Sequence, residues 1–292
     1  LCGDENMINA YKTGKDLCST MASIAFHVPY EDCKEFYPDG TTNKEGKKRR
    51  SNIKGVVLGL MYGRGDASVA EQLGITTEEA KEISNSLFEG FPKIKEYIEK
   101  AKAEAKKTGY TTTLWGRRRY LKYIQKERYE YKYGVNRPIN FDPLFDSDEE
   151  ADNEVSQKIK DYYNKQLEKA SFNQRKKIMD DALANGIIIE DNGAWLASSE
   201  RQVVNGIVQG SAADMTKRAM VALYNHKELN ELGFRLLMSV HDENIGECPI
   251  ENVKRVTELL SQVMIESNDR CSVPMKCDAE ISACWYGESI YV

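Results

Sequence analysis

Residues 235–248 read RLLMSVHDENIGEC: an apolar run, four polar residues and a second, shorter run. Short apolar runs on both sides of a polar turn predict a β-hairpin, here with strands at 235–240 and 245–248. Two adjacent carboxylates, Asp242 and Glu243, would lie at its tip. The hairpin therefore predicts an antiparallel sheet in this part of the chain.

Helical patterns surround this hairpin. Helices are expected at 5–26 with an interruption at Gly14 and a cap at Asp16, and at 49–62, 76–88, 93–107, 154–184, 200–224 and 253–265. Thr76 and Glu79 predict a capping box at the start of the helix at 76–88. Further strands are expected at 110–114 and 275–286. Because helices predominate and the best strands form a hairpin, the sequence predicts the α+β class with an antiparallel sheet.

The composition excludes several classes of protein. The chain has 292 residues, of which 41% are hydrophobic and 30% charged, enough to fill a core. It has no run of about 18 apolar residues, so we expect no transmembrane helix and no membrane partner. Its seven cysteines include no CxxC pair. This argues against zinc-binding and disulfide-rich classes and favours reduced thiols in the cytoplasm.

Basic residues are concentrated in the first part of the chain. Residues 1–125 carry 21 Lys and Arg against 17 Asp and Glu, whereas residues 199–292 carry 9 against 14. The net charge of the whole chain is −5. Because a polyanion is attracted by the electrostatic potential of a local basic patch, a chain with negative net charge can still bind nucleic acid.

The segment RRSNIKGVVLGLMYG, residues 49–63, predicts a helix with a cationic row. Arg50, Lys54, Leu58 and Tyr62 recur every four residues and therefore share one side of the helix. A row of three glycines, at positions 55, 59 and 63, runs beside them. Each interior glycine costs a helix about 1 kcal/mol, so the row needs a reason. Either a polyphosphate approaches the bare backbone, or another part of the protein packs there.

The hairpin tip predicts a magnesium site. Asp242 and Glu243 repel each other unless a cation offsets their charges. Mg²⁺ prefers such oxygen ligands, with substrate phosphates completing its shell. One carboxylate pair does not hold two metal ions, so further ligands are expected from elsewhere.

A second polar row predicts contact with the DNA minor groove. Arg201, Asn205 and Gln209 also recur every four residues. Base pairs in either order present nearly the same acceptors in that groove, so these donors can bind any correctly paired duplex. A solvent-exposed polar helix face is the alternative.

Taken together, these segments resemble family A DNA polymerases, the DNA polymerase I-like class. Family motif B stands here as residues 49–63, motif C as SVHDE at 239–243, and the helix before it as ERQVVNGIVQGSAADMTKRAM at 200–220. The opening LCGDENMINAYKTGKD and the segment TLWGRRRYL at 113–121 are also similar.

The resemblance implies a right-hand polymerase fold with helical fingers and part of an antiparallel-sheet palm. Residues 1–125 would belong mainly to the fingers, and 199–292 to the palm with the HDE hairpin. Residues 126–198 lie outside the shared pattern and are expected to be an insertion, as in a phage-type member.

The resemblance also implies a nucleotide site. Arg50 and Lys54 would bind the triphosphate of the incoming dNTP, Lys54 would protonate the pyrophosphate, and Tyr62 would lie beside the templating pair. Two positions depart from the family. Leu58 replaces an aromatic residue that shapes the sugar pocket, and Cys18 replaces a histidine that helps to hold the triphosphate.

The remaining implied roles concern DNA and metal. Arg201, Asn205 and Gln209 would follow the minor groove of a primer–template. Asp242 would ligate the catalytic Mg²⁺ ions with Glu243 close by, and His241 would orient the primer end. Two ions of this kind promote attack of the primer 3′-hydroxyl and departure of pyrophosphate.

Family motif A, which supplies the other metal-binding Asp, is expected upstream of residue 1. We therefore expect residues 1–292 not to extend a primer unless an upstream segment supplies that motif. A non-catalytic nucleic-acid-binding module or split-polymerase subunit is the main alternative, since it does not require Asp242 and Glu243. A single-subunit RNA polymerase is a second alternative.

Overall fold

The structure is a computed structural model that describes residues 1–134, 155–285, 287, 288 and 290. Its α-helices are α1 Glu5–Lys12, α2 Leu17–Phe26, α3 Lys44–Met61, α4 Asp66–Leu73, α5 Thr77–Gly90, α6 Pro92–Thr108, α7 Gln157–Lys169, α8 Phe172–Ala184, α9 Gly193–Asn225, α10 Lys227–Glu231 and α11 Val253–Glu266. Its strands are β1 Tyr110–Thr112, β2 Arg118–Tyr120, β3 Tyr129–Tyr133, β4 Ile187–Asp191, β5 Arg235–Val240 and β6 Glu243–Glu247. The strands pair antiparallel as β1–β2, β3–β4 and β5–β6, so the predicted α+β class is confirmed.

The chain divides into two compact units. The larger unit contains Leu1–Leu121 and Glu200–Val292, and the smaller unit contains Lys122–Ser199. In the smaller unit, α7 and α8 pack on the β3–β4 ribbon around the buried side chains of Tyr163, Leu167 and Ile187. This unit begins four residues before the predicted insertion and ends one residue after it.

The helices of the larger unit share a core that fixes α3. Ile53 and Val56 of α3 are fully buried together with Phe91, which lies between α5 and α6. The glycine at the end of α6, Gly109, has a φ of 81°, a left-handed conformation that favours glycine. This core orients one side of α3 inward and leaves its other side available for a site.

Two predicted helix caps are confirmed, whereas α3 and α9 begin earlier than predicted, at Lys44 and Gly193. Asp16 caps α2 by accepting a hydrogen bond from the backbone N–H of Ser19 at 2.7 Å. Thr76 and Glu79 form the predicted capping box at the start of α5. Such caps satisfy N–H groups that have no partner within the helix, which is why these short polar residues mark the boundaries.

The β5–β6 hairpin packs on α10 and α11 through an apolar cluster that includes Phe234, Val256 and Leu259. The predicted four-residue turn is too long. Val240 pairs with Glu243, so the turn consists of His241 and Asp242 alone. A two-residue turn is the commonest hairpin connection because its twist matches that of the strands.

The strand predicted at 275–286 is wrong over residues 275–285, which form no β-strand, and Tyr286 lies outside the described residues. A strand requires a neighbouring strand for its backbone hydrogen bonds, which an alternating pattern alone cannot supply. None of the helices in the described part of the chain is long and apolar enough to cross a membrane.

Candidate functional site

The cationic row lies on α3, on the side away from the core. Arg50 is partly exposed, Lys54 is exposed, and the side chain of Leu58 is 40% exposed. Tyr62 is the C-cap residue of the helix. The four-residue spacing therefore produces the predicted row, while Ile53 and neighbouring buried residues anchor the opposite face.

The glycine row beside it is covered by the protein itself. A Cβ atom at Gly59 would lie 2.9 Å from Cδ of Arg64, and one at Gly63 would lie 3.1 Å from Cγ of Arg201. The side chain of Gln72 covers Gly55. Side chains of the larger unit thus occupy the space predicted for a polyphosphate, and the packing alternative explains these glycines.

Arg50 is held by an acidic side chain. Its Nε and Nη2 atoms donate to Oδ1 and Oδ2 of Asp16 at 3.0 and 3.1 Å. Burial alone would raise the pKa of Asp16, but the hydrogen bonds from Arg50 and Ser19 outweigh it and lower that pKa below its ordinary value. The hydrogen bond with Asp16 raises the pKa of Arg50. The carboxylate and guanidinium therefore remain charged at neutral pH.

Lys54 is the more available cation of the row. It makes no hydrogen bond or ion pair within the part of the chain that the structure describes. Burial is the largest influence on Cys18, and it raises the pKa of that thiol, with Asp16 acting in the same direction and Arg50 and Lys54 opposing. Cys18 therefore lies near both cations but is a neutral thiol at neutral pH.

The second polar row lies on α9, and one of its members meets the end of α3. The side-chain amide of Gln209 donates to the Tyr62 hydroxyl at 3.2 Å. Arg201 packs against Gly63, the residue after Tyr62. Asn205, between them, is partly exposed. The structure thus brings the predicted minor-groove row next to the predicted nucleotide row.

The hairpin tip exposes all three of its predicted site residues. His241 has a φ of 55°, a left-handed conformation that is uncommon for a residue with a Cβ. Asp242 and Glu243 are exposed. Among the described residues, no hydrogen bond or ion pair joins the tip to Arg50 or Lys54. That the hairpin tip and the cationic row of α3 form one site therefore stays a prediction.

The tip supplies an incomplete set of metal ligands. The exposed carboxylates of Asp242 and Glu243 are the oxygen donors that Mg²⁺ prefers. Within residues 1–134 and 155–285, no cluster of three or more His, Cys, Asp or Glu side chains is arranged to hold a metal. The donors present therefore fit Mg²⁺ in kind, and other groups would have to complete its shell.

The sequence model of DNA polymerase family A matches residues 1–141 and 153–287 of the chain. The protein belongs to DNA polymerase family A. The resemblance found in its motifs is thereby confirmed. The family match also continues through most of residues 126–198, and the only gap between its two parts is 142–152.

Individual family members are similar over almost the whole chain. DNA polymerase I of Geobacillus stearothermophilus is 30% identical over 283 residues, which are 97% of this chain and 24% of that protein. The thermostable DNA polymerase I of Thermus aquaticus is 29% identical over 98% of this chain and 25% of its own length. The chain thus spans about a quarter of the length of these relatives.

A solved polymerase structure is similar in fold. The POL domain of Pol1 from M. smegmatis, in complex with DNA primer-template and dNTP, matches with a TM-score of 0.60 and 27% identity. The match covers 91% of this chain and 34% of that one. The predicted polymerase fold is confirmed by this similarity together with the family match.

Sequence reasoning missed part of the site of this family A member. It recognised Asp16 as a helix cap but not as the partner of Arg50, 34 residues away. It treated Arg119 as part of a basic cluster and phosphate candidate, 117–119, and did not predict that its Nη2 donates to Gln202 of α9 at 3.3 Å. The triple arginine of 117–119 was the available signal, but only the structure shows that Arg117 and Arg119 contact α9, Arg117 through an ion pair with Asp214 at 2.7 Å.

Proposed function

We propose that this chain is the fingers and palm portion of a template-directed DNA polymerase that transfers a nucleotide from a dNTP to a primer 3′-hydroxyl. In this proposal residues 1–125 form mainly the fingers and residues 199–292 the palm. Within residues 126–198, an insertion of the phage type would be limited to 142–152, where the family match has its gap. We call the cationic row of α3 the nucleotide row and the polar row of α9 the DNA row. The observation that carries the proposal is the hydrogen bond from Gln209 to Tyr62, which connects the nucleotide row to the DNA row.

The nucleotide row suits a triphosphate. Asp16 uses the Nε edge of the Arg50 guanidinium. Nη1 forms an ion pair with Oε2 of Glu35 at 3.9 Å, which is longer than a hydrogen bond, so Nη1 and one N–H of Nη2 can still donate to a phosphate oxygen. Lys54 has three donors and no acidic partner among the described residues, so it can supply charge to the phosphates and a proton to the departing pyrophosphate. Tyr62 would pack beside the templating pair.

The DNA row suits a duplex of any sequence. Arg201, Asn205 and Gln209 carry donors that reach purine N3 and pyrimidine O2 equally well. Gln209 has two amide hydrogens and donates one of them to Tyr62, so the other remains available to a base pair. Correct pairing next to Tyr62 would thereby be detected through groove shape rather than base identity.

The hairpin tip would bind the metal and the primer end. Asp242 and Glu243 would hold Mg²⁺, which when bound lowers the pKa of the primer hydroxyl and stabilises negative charge on phosphate oxygens. His241 would orient the primer terminus. Asp242 lies in a two-residue turn between paired strands, so the hairpin fixes the position of its backbone. The seven free thiols fit a cytoplasmic protein.

One observation favours a non-catalytic DNA-binding subunit as the second candidate. The described residues contain no ready cluster of three metal-binding side chains. Such a subunit would keep the rows on α3 and α9 but would not depend on the carboxylates of Asp242 and Glu243. The two candidates therefore differ in what the tip contributes.

Primer extension by the full-length protein in the presence of Mg²⁺ separates the candidates. Asp242→Ala is expected to abolish extension while the Kd for a primer–template stays within about twofold, because Asp242 is exposed and acidic and supplies none of the proposed phosphate or minor-groove contacts. Glu247→Ala, at the other end of the same hairpin, is the matched control and is expected to extend normally. Normal extension by Asp242→Ala would reject the metal assignment, and no extension by the unmodified protein would favour the binding subunit.

A further inference from the structure

The β1–β2 ribbon has two different faces. Its register pairs Tyr110 with Tyr120, Thr111 with Arg119 and Thr112 with Arg118. Because side chains alternate across a strand, Thr111 and Arg119 share one face. The other face carries Tyr110, Arg118 and Tyr120.

The first face packs on α9 beside the DNA row. A Cβ atom at Gly206 would lie 3.1 Å from Cγ2 of Thr111 and 3.0 Å from Cδ of Arg119. Arg119 also donates to Gln202, the residue after Arg201. Glycine at 206 is thus what allows the ribbon to approach the helix, and the ribbon borders the row of Arg201, Asn205 and Gln209.

The second face is an exposed group of two aromatic rings and a guanidinium. Tyr120 is 71% exposed, and its ring meets that of Tyr110 at a centroid distance of 5.6 Å and an angle of 65°. The Arg118 guanidinium lies 4.7 Å from the Tyr110 ring centroid. Arg118 makes no ion pair with a carboxylate within the described ranges. We call Tyr110, Arg118 and Tyr120 the ribbon face.

A single exposed tyrosine needs no explanation, because much of any protein surface is apolar. The ribbon face differs because its two rings contact each other and one of them contacts Arg118. The tyrosine side chains therefore lose less conformational entropy when a base binds. Unpaired bases stack on such rings whatever their sequence, and a guanidinium supplies contact to the backbone phosphate. Paired bases cannot stack in this way, since their faces are covered within the duplex.

We propose that the ribbon face binds unpaired bases of the template strand, where that strand extends beyond the duplex held by the α9 row. The proposal rests on the DNA-binding function proposed above. It adds a contact with single-stranded DNA that neither the nucleotide row nor the minor-groove row supplies. Tyr120, the more exposed ring, would be the principal stacking platform, and Arg118 would contact the phosphate beside the stacked base.

The test compares two DNA substrates on the full-length protein by fluorescence anisotropy. One is a primer–template with a single-stranded 5′ overhang, and the other is a blunt duplex of the same paired sequence. Loss of one stacked base costs about 1–3 kcal/mol, so Tyr120→Ala is expected to weaken binding of the overhang substrate about fivefold or more. Binding of the blunt duplex is expected to be unchanged, and Tyr120→Phe is expected to retain the affinity for the overhang.

The matched control is Tyr224→Ala, which removes another exposed ring, 73% exposed, on α9 and away from the ribbon. A 2-aminopurine base in the overhang reports stacking directly, because its fluorescence is quenched by a neighbouring ring. Quenching that Tyr120→Ala relieves supports the proposal even if that variant is less stable.

Three results would overturn the proposal: equal loss with both substrates, the same loss in Tyr224→Ala, or unchanged quenching in Tyr120→Ala. Failure of the unmodified protein to bind the blunt duplex would instead reject the DNA-binding function itself. The two failures are therefore distinguishable within one experiment.

Discussion

Arg50 donates two hydrogen bonds to Asp16, from Nε to Oδ1 at 3.0 Å and from Nη2 to Oδ2 at 3.1 Å. The same carboxylate caps α2 by accepting from the backbone and hydroxyl of Ser19 at 2.7 and 2.8 Å. The single hydroxyl proton of Ser19 is shared between this carboxylate and the buried backbone carbonyl of Cys33, both of which lie 2.8 Å from the hydroxyl oxygen. The side chain proposed to bind phosphate is thus oriented by a network that reaches into the helical core.

Asp16→Ala tests whether this network positions Arg50. Hydrogen bonds to charged groups are worth about 1.5–3 kcal/mol, so loss of the oriented fork is expected to raise the KM for dNTP about fivefold or more. The value of kcat is expected to change less, because Lys54 remains. Steady-state primer extension over a range of dNTP concentrations gives both values.

The control for Asp16→Ala is Asp4→Ala. Asp4 caps α1 by accepting from the backbone N–H of Met7 and does not touch Arg50. Both variants should lose about 1 kcal/mol of stability with the cap, and Asp16→Ala loses the ion pair with Arg50 in addition. Only Asp16→Ala should raise the KM. A lower KM in Asp16→Ala would mean that Asp16 screens the charge of Arg50 instead of orienting it.

The pH dependence of stability follows from the lowered pKa of Asp16. An acid whose pKa is lower in the folded state stabilises the fold fully above its unfolded-state pKa of about 3.9 and loses that effect as the pH falls through the lower folded value. The stability difference between the unmodified protein and Asp16→Asn should therefore be constant from about pH 8 to pH 5. It should shrink below about pH 4.

Urea unfolding at a series of pH values measures this difference. Asn retains a side-chain oxygen for the cap at Ser19, so the comparison isolates the ion pair with Arg50. A difference that grows on acidification would show that the pKa of Asp16 is raised, the opposite of the expectation.

The local features of this fold could be predicted from sequence because their causes are local. The capping box of Thr76 and Glu79 and the four-residue spacing of the α3 row depend on residues within two helical turns. The pair of Asp16 with Arg50 could not be predicted, since it joins two helices through tertiary packing. The strand expected at 275–286 is wrong over residues 275–285 for the same reason, because strand pairing depends on which segment lies beside it.

Leu58→Tyr tests the proposed sugar pocket. Leu58 is 40% exposed on the outer side of α3, so a larger ring can be accommodated without overpacking the core. The ratio of dideoxynucleotide to deoxynucleotide incorporation by the full-length protein should change in Leu58→Tyr and stay the same in Leu58→Met, which conserves volume. An unchanged ratio in Leu58→Tyr would show that this position does not line the pocket.

A double-mutant cycle tests the contact between Gln209 and Tyr62. If their hydrogen bond couples the nucleotide row to the DNA row, Tyr62→Phe and Gln209→Ala should be non-additive in the Kd for primer–template. The expected coupling is about 0.5–1.5 kcal/mol, the usual worth of one hydrogen bond. Tyr62→Phe combined with Asn205→Ala should be additive, and equal coupling in both cycles would remove the special role of Gln209.

Ile53→Ala tests whether the inner face of α3 holds the row in place. Ile53 is fully buried in the core, so its truncation leaves a cavity. The substitution should lower the free energy of unfolding by about 2–5 kcal/mol. Leu58→Ala, five residues later on the outer face of the same helix, should cost about 1 kcal/mol or less, because much of that side chain already contacts water. Urea unfolding of the two variants gives both values. If Leu58→Ala cost as much as Ile53→Ala, the assignment of inner and outer faces would be wrong, and with it the orientation proposed for Arg50 and Lys54.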